Sequence, residues 1–133
     1  MTTIITLSAM KGGVGKTTTA TALAAALVRA GKSVVLIDLD GQGNATASTG
    51  LEKQPDVYRL LADGAQWEDV LRLAPKSFAG KGELYVLASD IATYDMANVE
   101  DVQTILYKRL RLLREAGPDA VVIDTAPSST NLH

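Results

Sequence analysis

An α/β fold, with a doubly wound and mostly parallel sheet flanked by helices, is what this sequence predicts. Three observations predict it. A short apolar run at residues 4–9 enters a loop with three glycines, and a helical pattern follows at once. Further strand-length runs follow at residues 33–38, 83–88 and 119–124, and the first and last of these read as buried strands. Helical stretches separate the runs, and β–α–β order with right-handed crossovers makes successive strands parallel.

The 133 residues suit one domain, and 47% hydrophobic residues can build a core. No apolar run approaches the roughly 20 residues of a membrane-spanning helix. The first apolar run has no basic flank, which argues against a secretory signal. The absence of cysteine excludes disulfides and thiolate metal sites, and a cytosolic protein is expected. A net charge of −2 argues against a strong electrostatic nucleic-acid footprint within these residues.

The first strand runs into Ser8-Ala9-Met10-Lys11-Gly12-Gly13-Val14-Gly15-Lys16-Thr17-Thr18. Strand, glycine-rich loop and helix together form a phosphate cradle. Glycines let successive N–H groups turn onto an anion, and the helix aims the positive end of its dipole at the same point. In this layout Lys16 meets the β- and γ-phosphates and the Thr17 hydroxyl holds Mg²⁺. The first glycine of the general pattern falls at Met10, and a second lysine, Lys11, stands before Gly12 instead.

The helix after the loop places Ala20, Leu23, Ala24, Leu27 and Val28 on one face, with Gly31 as its C-cap. The second strand ends in Asp38-Leu39-Asp40, followed by Gly41-Gln42-Gly43-Asn44-Ala45-Thr46. Ligands of open α/β sheets lie beyond the carboxyl ends of strands, so both aspartates should emerge beside the phosphate loop. Such a pair can address Mg²⁺ and a water; two turn-forming acids are the bland alternative.

Residues 55–62 read as a short helix, and Trp67, Val70 and Leu71 as a further amphipathic turn or helix with Trp67 in packing. Residues 78–82 read as a loop, residues 83–88 as a strand and residues 89–98 as irregular or partly helical. Residues 99–116 form a helical pattern with Val102, Ile105, Leu106, Leu110 and Leu113 as its stripe. Lys108, Arg111 and Arg114 fall opposite; they read as a solvated face, with a DNA or partner contact as the alternative. Gly117-Pro118 breaks the helix, and the last strand ends in Asp124, the Walker B arrangement in which an acid reaches Mg²⁺ through water.

Met10 to Thr17 resembles the deviant Walker A box of the ParA/MinD family, dimerising ATPases that position plasmids, chromosomes and other cargo. Asp38 to Ala45 resembles the family's switch I, with Gly41 in place of the usual proline, which predicts a more flexible loop. Thr125-Ala126-Pro127-Ser128 resembles switch II, with Ala126 in place of a proline. Gln42-Gly43-Asn44-Ala45 looks more like the ParA/Soj members than the MinD members.

The resemblance implies a P-loop NTPase fold with ATP or ADP and Mg²⁺ as ligands. It implies that Lys11, Gly12, Gly13, Val14, Gly15, Lys16, Thr17 and Thr18 bind nucleotide, Thr18 at the α-phosphate. Asp40 would position the attacking water, and Asp38 would support a Mg²⁺ shell shared by Thr17 and Asp124. Lys11 would cross a homodimer interface and complete the partner's ATP site, so Lys11, Lys16 and Asp40 form the implied catalytic set. The implied partners are non-specific DNA and a ParB-like or adaptor activator, in the cytoplasm and on the nucleoid where DNA binding is retained. Partition is the favoured role; carboxysome, chemotaxis-cluster or division positioning stands beside it.

The resemblance covers nearly all of this chain but only about the first half of a typical member. Residues 1–133 are therefore expected to be one incomplete domain, with an open sheet edge that a second copy, a swapped element or further chain covers. A nucleotide-binding module without turnover is the alternative from another class. A nitrogenase iron-protein relative is excluded by the lack of cysteine ligands, and no Asn/Thr-Lys-x-Asp guanine motif supports a GTPase.

Overall fold

The computed structural model describes residues 1–8, 15–76 and 80–126. Its elements follow in chain order. Strand β1 (Thr3–Leu7) leads to helix α1 (Lys16–Arg29) and strand β2 (Ser33–Leu39). Helices α2 (Asn44–Ser48), α3 (Asp56–Ala62) and α4 (Trp67–Val70) precede strands β3 (Leu71–Leu73) and β4 (Glu83–Leu87). A 3-10 helix (Ile91–Asn98), helix α5 (Val102–Ala116) and strand β5 (Ala120–Thr125) complete the order.

The five strands form one sheet in the order β1-β5-β2-β4-β3. All pairings are parallel except β3 with β4. The final strand thus inserts between the first two. Its register sets Asp124 between Leu7 on one side and Asp38 on the other. This insertion brings acids 86 positions apart in sequence to adjacent strand ends.

Side-chain alternation splits the core into two layers. Val34 and Leu36 of β2 face α1, packing with Ala20, Ala24 and Val28 and with Leu84, Val86 and Val122. Val35 and Ile37 point the other way, toward Val57 and Leu60 of α3, Trp67 and Val70 of α4, and Leu113 of α5. A strand buried on both faces needs apolar residues at every position, which is why β2 reads as an unbroken run. Trp67 is buried in this second layer, and its indole N–H donates to the Arg109 carbonyl at 2.8 Å, tying α4 to α5.

Three stretches differ from the sequence expectation. Leu71 leaves the helix and opens β3, because its extended backbone pairs with Leu87. The long helix starts at Val102 rather than at residue 99, because Val99 is extended and Asp101 takes a left-handed conformation at φ 58°. Residues 91–98, read as irregular or partly helical, form the 3-10 helix, with the Asp90 carboxylate accepting from the Ala92 N–H at 2.8 Å. Among the described residues β1 pairs on one side only, and no helix is long and apolar enough to cross a membrane.

Candidate functional site

The parallel strands β1, β5 and β2 all end at one edge of the sheet, and α1 begins there. Gly15 precedes α1 at φ 91°, a left-handed conformation that costs little only for glycine. The first turn of α1 holds no acid, and no side chain caps it among the described residues. Its leading N–H groups and the helix dipole therefore face the strand ends with the sign that suits an anion.

Lys16 is buried and reaches back to β5. Its ammonium contacts the Asp124 carboxylate and donates to the Thr125 carbonyl. The neighbouring Thr17 hydroxyl donates to the other Asp124 oxygen at 2.9 Å. Donation leaves the hydroxyl lone pairs free to face a cation. Thr18 and Thr19, both exposed, are further hydroxyl residues in the same turn. The Thr125 hydroxyl donates to the Leu7 carbonyl at 2.8 Å and holds the end of β5 against the strand that feeds the glycine-rich segment.

Asp38 lies directly across from Asp124, and both are fully buried. Its two oxygens are engaged. One accepts from the Asp40 N–H at 3.1 Å; the other accepts from the Thr46 N–H at 2.9 Å and the Thr46 hydroxyl at 2.7 Å. Burial pushes the Asp38 carboxyl above its ordinary value, the bonds from Thr46 and Asp40 pull it down, and nearby Asp124 adds to the rise. Asp38 thus shapes the turn that follows it. Asp40 accepts from the Gln42 N–H at 3.0 Å through its side chain and from the Gly43 N–H at 2.9 Å through its carbonyl.

The structure therefore brings together Gly15, Lys16, Thr17, Asp38, Asp40 and Asp124 at one sheet edge. Lys11, Gly12, Gly13 and Val14, together with Pro127 and Ser128 of the switch II stretch, lie outside the described residues. Three supporting residues escaped the sequence reading. Thr46 secures Asp38, Ser89 donates to the Asp40 carbonyl at 2.8 Å, and Tyr94 covers Gly41. Ser89 had a signal, since it follows the carboxyl end of β4; nothing local marked Tyr94.

Divalent magnesium favours one or two carboxylates plus phosphate oxygens and water. The adjacent Asp124 carboxylate and Thr17 hydroxyl fit that donor set. Among the described residues no group of three or more His, Asp or Glu converges as a self-sufficient metal cage. A groove of about 540 Å³ lies beside these strand ends, between β1, β5 and α5, lined by Ile4, Leu106, Tyr107, Leu110 and Thr125 among others. Its wall is mainly apolar; Arg111 and Arg114 also line it, but a triphosphate needs converging amide donors as well, which the head of α1 supplies.

A family model described as an AAA domain matches residues 2–133. The chain is 40% identical over 130 residues to the chromosome-partitioning ATPase Soj of Thermus thermophilus, covering 96% of this chain and 47% of that protein. It is 39% identical over 132 residues to the sporulation initiation inhibitor protein Soj of Bacillus subtilis, covering 94% of this chain and 50% of that one. Among solved structures, cobyrinic acid a,c-diamide synthase from Mycobacterium smegmatis with bound ADP and magnesium superposes with a TM-score of 0.82 at 28% identity. That match covers 96% of this chain and 52% of the synthase. The chain spans about half the length of the curated relatives it matches.

Proposed function

The chain belongs to the AAA-domain family, and on that premise we propose that it carries the nucleotide site of a ParA-type positioning ATPase. The favoured role is partition of a plasmid or chromosome. One observation carries the reading: Lys16, Thr17 and Asp124 meet at the start of α1, which opens on the carboxyl edge of the sheet. The Soj relatives support the partition role, and the ADP- and magnesium-bound synthase supports the choice of ligands.

In this reading the first-turn amides of α1 and the residues 12–15 hold the phosphates of ATP. Lys16 exchanges its Asp124 partner for β- and γ-phosphate oxygens, where its charge offsets the charge that develops on transfer. Thr17 and Asp124 would hold Mg²⁺, which when bound neutralises charge on the transferred phosphoryl group. Thr18 meets the α-phosphate. Asp40 orients the water, and Asp38 supports the cation's surroundings from behind by fixing Asp40 and Thr46. Lys11 completes the site of a second copy in an ATP-dependent homodimer. DNA and an activating protein are the proposed partners, in the cytoplasm.

ATP hydrolysis by the chain and by Lys11→Ala, each with and without DNA, tests the proposal. Slow turnover that is lost in Lys11→Ala while ATP binding survives is expected. ATP binding without turnover in either protein would make the chain a binding module instead. No ATP binding would overturn both readings.

A further inference from the structure

Gly41 does not have a positive φ, so its backbone does not demand glycine. Space does. A Cβ at Gly41 would lie 2.6 Å, 2.7 Å and 2.8 Å from three ring carbons of Tyr94. Gly41 is buried under that ring, while Tyr94 is 53% exposed, so one face of the ring packs on the loop and the rest meets solvent. The freedom that glycine brings to this position is taken up by packing.

Hydrogen bonds secure the same contact. The Gln42 side-chain amide donates to the Tyr94 hydroxyl at 2.8 Å. Behind the ring, the Ser89 hydroxyl donates to the Asp40 carbonyl at 2.8 Å. Ser89 has spent its one proton there, so the Thr93 hydroxyl donates in the 2.6 Å contact between the two. Thr93 and Tyr94 share one 3-10 helix, which therefore holds Asp40 and Gln42 at once. The turn closed by Asp40 lies between them, with the Gln42 N–H on the Asp40 side chain and the Gly43 N–H on its carbonyl.

We propose that Tyr94 is a positioning residue for Asp40, and that Gly41 and Tyr94 form a matched pair that fixes the loop after β2. The inference rests on the proposed ATPase reading for the consequence at Asp40, but the Gly41–Tyr94 coupling stands on geometry alone. A residue larger than glycine at position 41 displaces the ring and frees the turn; removing the ring frees the turn as well.

A double-mutant cycle on the full chain tests this, read by amide hydrogen exchange, ATP affinity and turnover. Tyr94→Ala is expected to speed exchange at Gln42 and Gly43 about tenfold or more. It should lower kcat by about tenfold with ATP affinity nearly unchanged, since Lys16 and Thr17 are untouched. Tyr94→Phe keeps the ring on Gly41 and should retain most of the turnover. Gly41→Ala should speed exchange in the wild-type background and add less than about twofold in the Tyr94→Ala background. Equal effects of Gly41→Ala in both backgrounds would overturn the pair. Faster exchange in Tyr94→Ala with unchanged kcat would overturn the positioning role. A wild-type chain that neither binds nor hydrolyses ATP would refute the ATPase reading and leave the exchange cycle to decide the pair.

Discussion

At the scale of single residues, the site is built on buried charges. Lys16 pairs with the fully buried Asp124, which faces a second fully buried acid, Asp38, across β5 and β2. Lys16→Met strands the Asp124 charge, and removing one member of a buried pair costs about 3 kcal/mol or more. Urea unfolding at neutral pH should show that loss. Asp38 gives a pH signature. Burial holds its folded carboxyl above the ordinary value of 3.8, so the folded chain keeps that proton more tightly than the unfolded chain. The stability Asp38 contributes is complete below about pH 4 and is lost as pH rises through its folded value. Stability of the wild type relative to Asp38→Asn, measured without Mg²⁺, should therefore fall between pH 4 and neutrality, by no more than about 1.4 kcal/mol per pH unit. A difference that grows with pH would show that hydrogen bonds from Thr46 and Asp40 outweigh burial.

At the scale of elements, much was legible in the sequence. Residues 33–38 and 119–124 announced β2 and β5 because strands covered on both faces leave no polar position, and Asp38 and Asp124 announced their carboxyl ends. The glycine-rich segment before Lys16 likewise marked the head of α1. Strand β3 was not legible, since three residues cannot display a period that separates strand from helix. What fixes it is distant: Arg72 donates to the fully buried Asp56 at 2.5 Å and 3.2 Å, joining the strand to the start of α3. Arg59 lies 3.5 Å from the same carboxylate, too long to replace Arg72. Arg72→Leu should lower stability in urea unfolding, by less than a fully buried pair would because the Arg72 side chain is 39% exposed, and Arg72→Leu combined with Asp56→Leu should recover much of the loss, because the stranded charge is then gone. Tyr94 was invisible for a similar reason. Its partner Gly41 lies 53 positions earlier, and only the fold brings ring and glycine together.

At the scale of the whole molecule, topology does what no local motif can. Inserting β5 between β1 and β2 places the last acid beside the first helix and the second strand, so the site exists only once β5 has paired with both strands. Asp124 belongs to β5, which pairs with both β1 and β2, so nucleotide should stabilise the chain globally and not one segment of it. Saturation at about 100 times the dissociation constant is worth roughly 2.7 kcal/mol, read as a raised unfolding midpoint. The most direct test of the account is a titration of the isotopically labelled chain with MgATP, followed through every backbone amide by NMR. The account predicts that the largest shifts fall at Gly15 to Thr19 and at the ends of β2 and β5 around Asp38 and Asp124, while Ser33 and Asp119 at the opposite edge stay still. Shifts centred instead on Ile4, Leu106 and Leu110 in the apolar groove, or no shifts at saturating nucleotide, would contradict it.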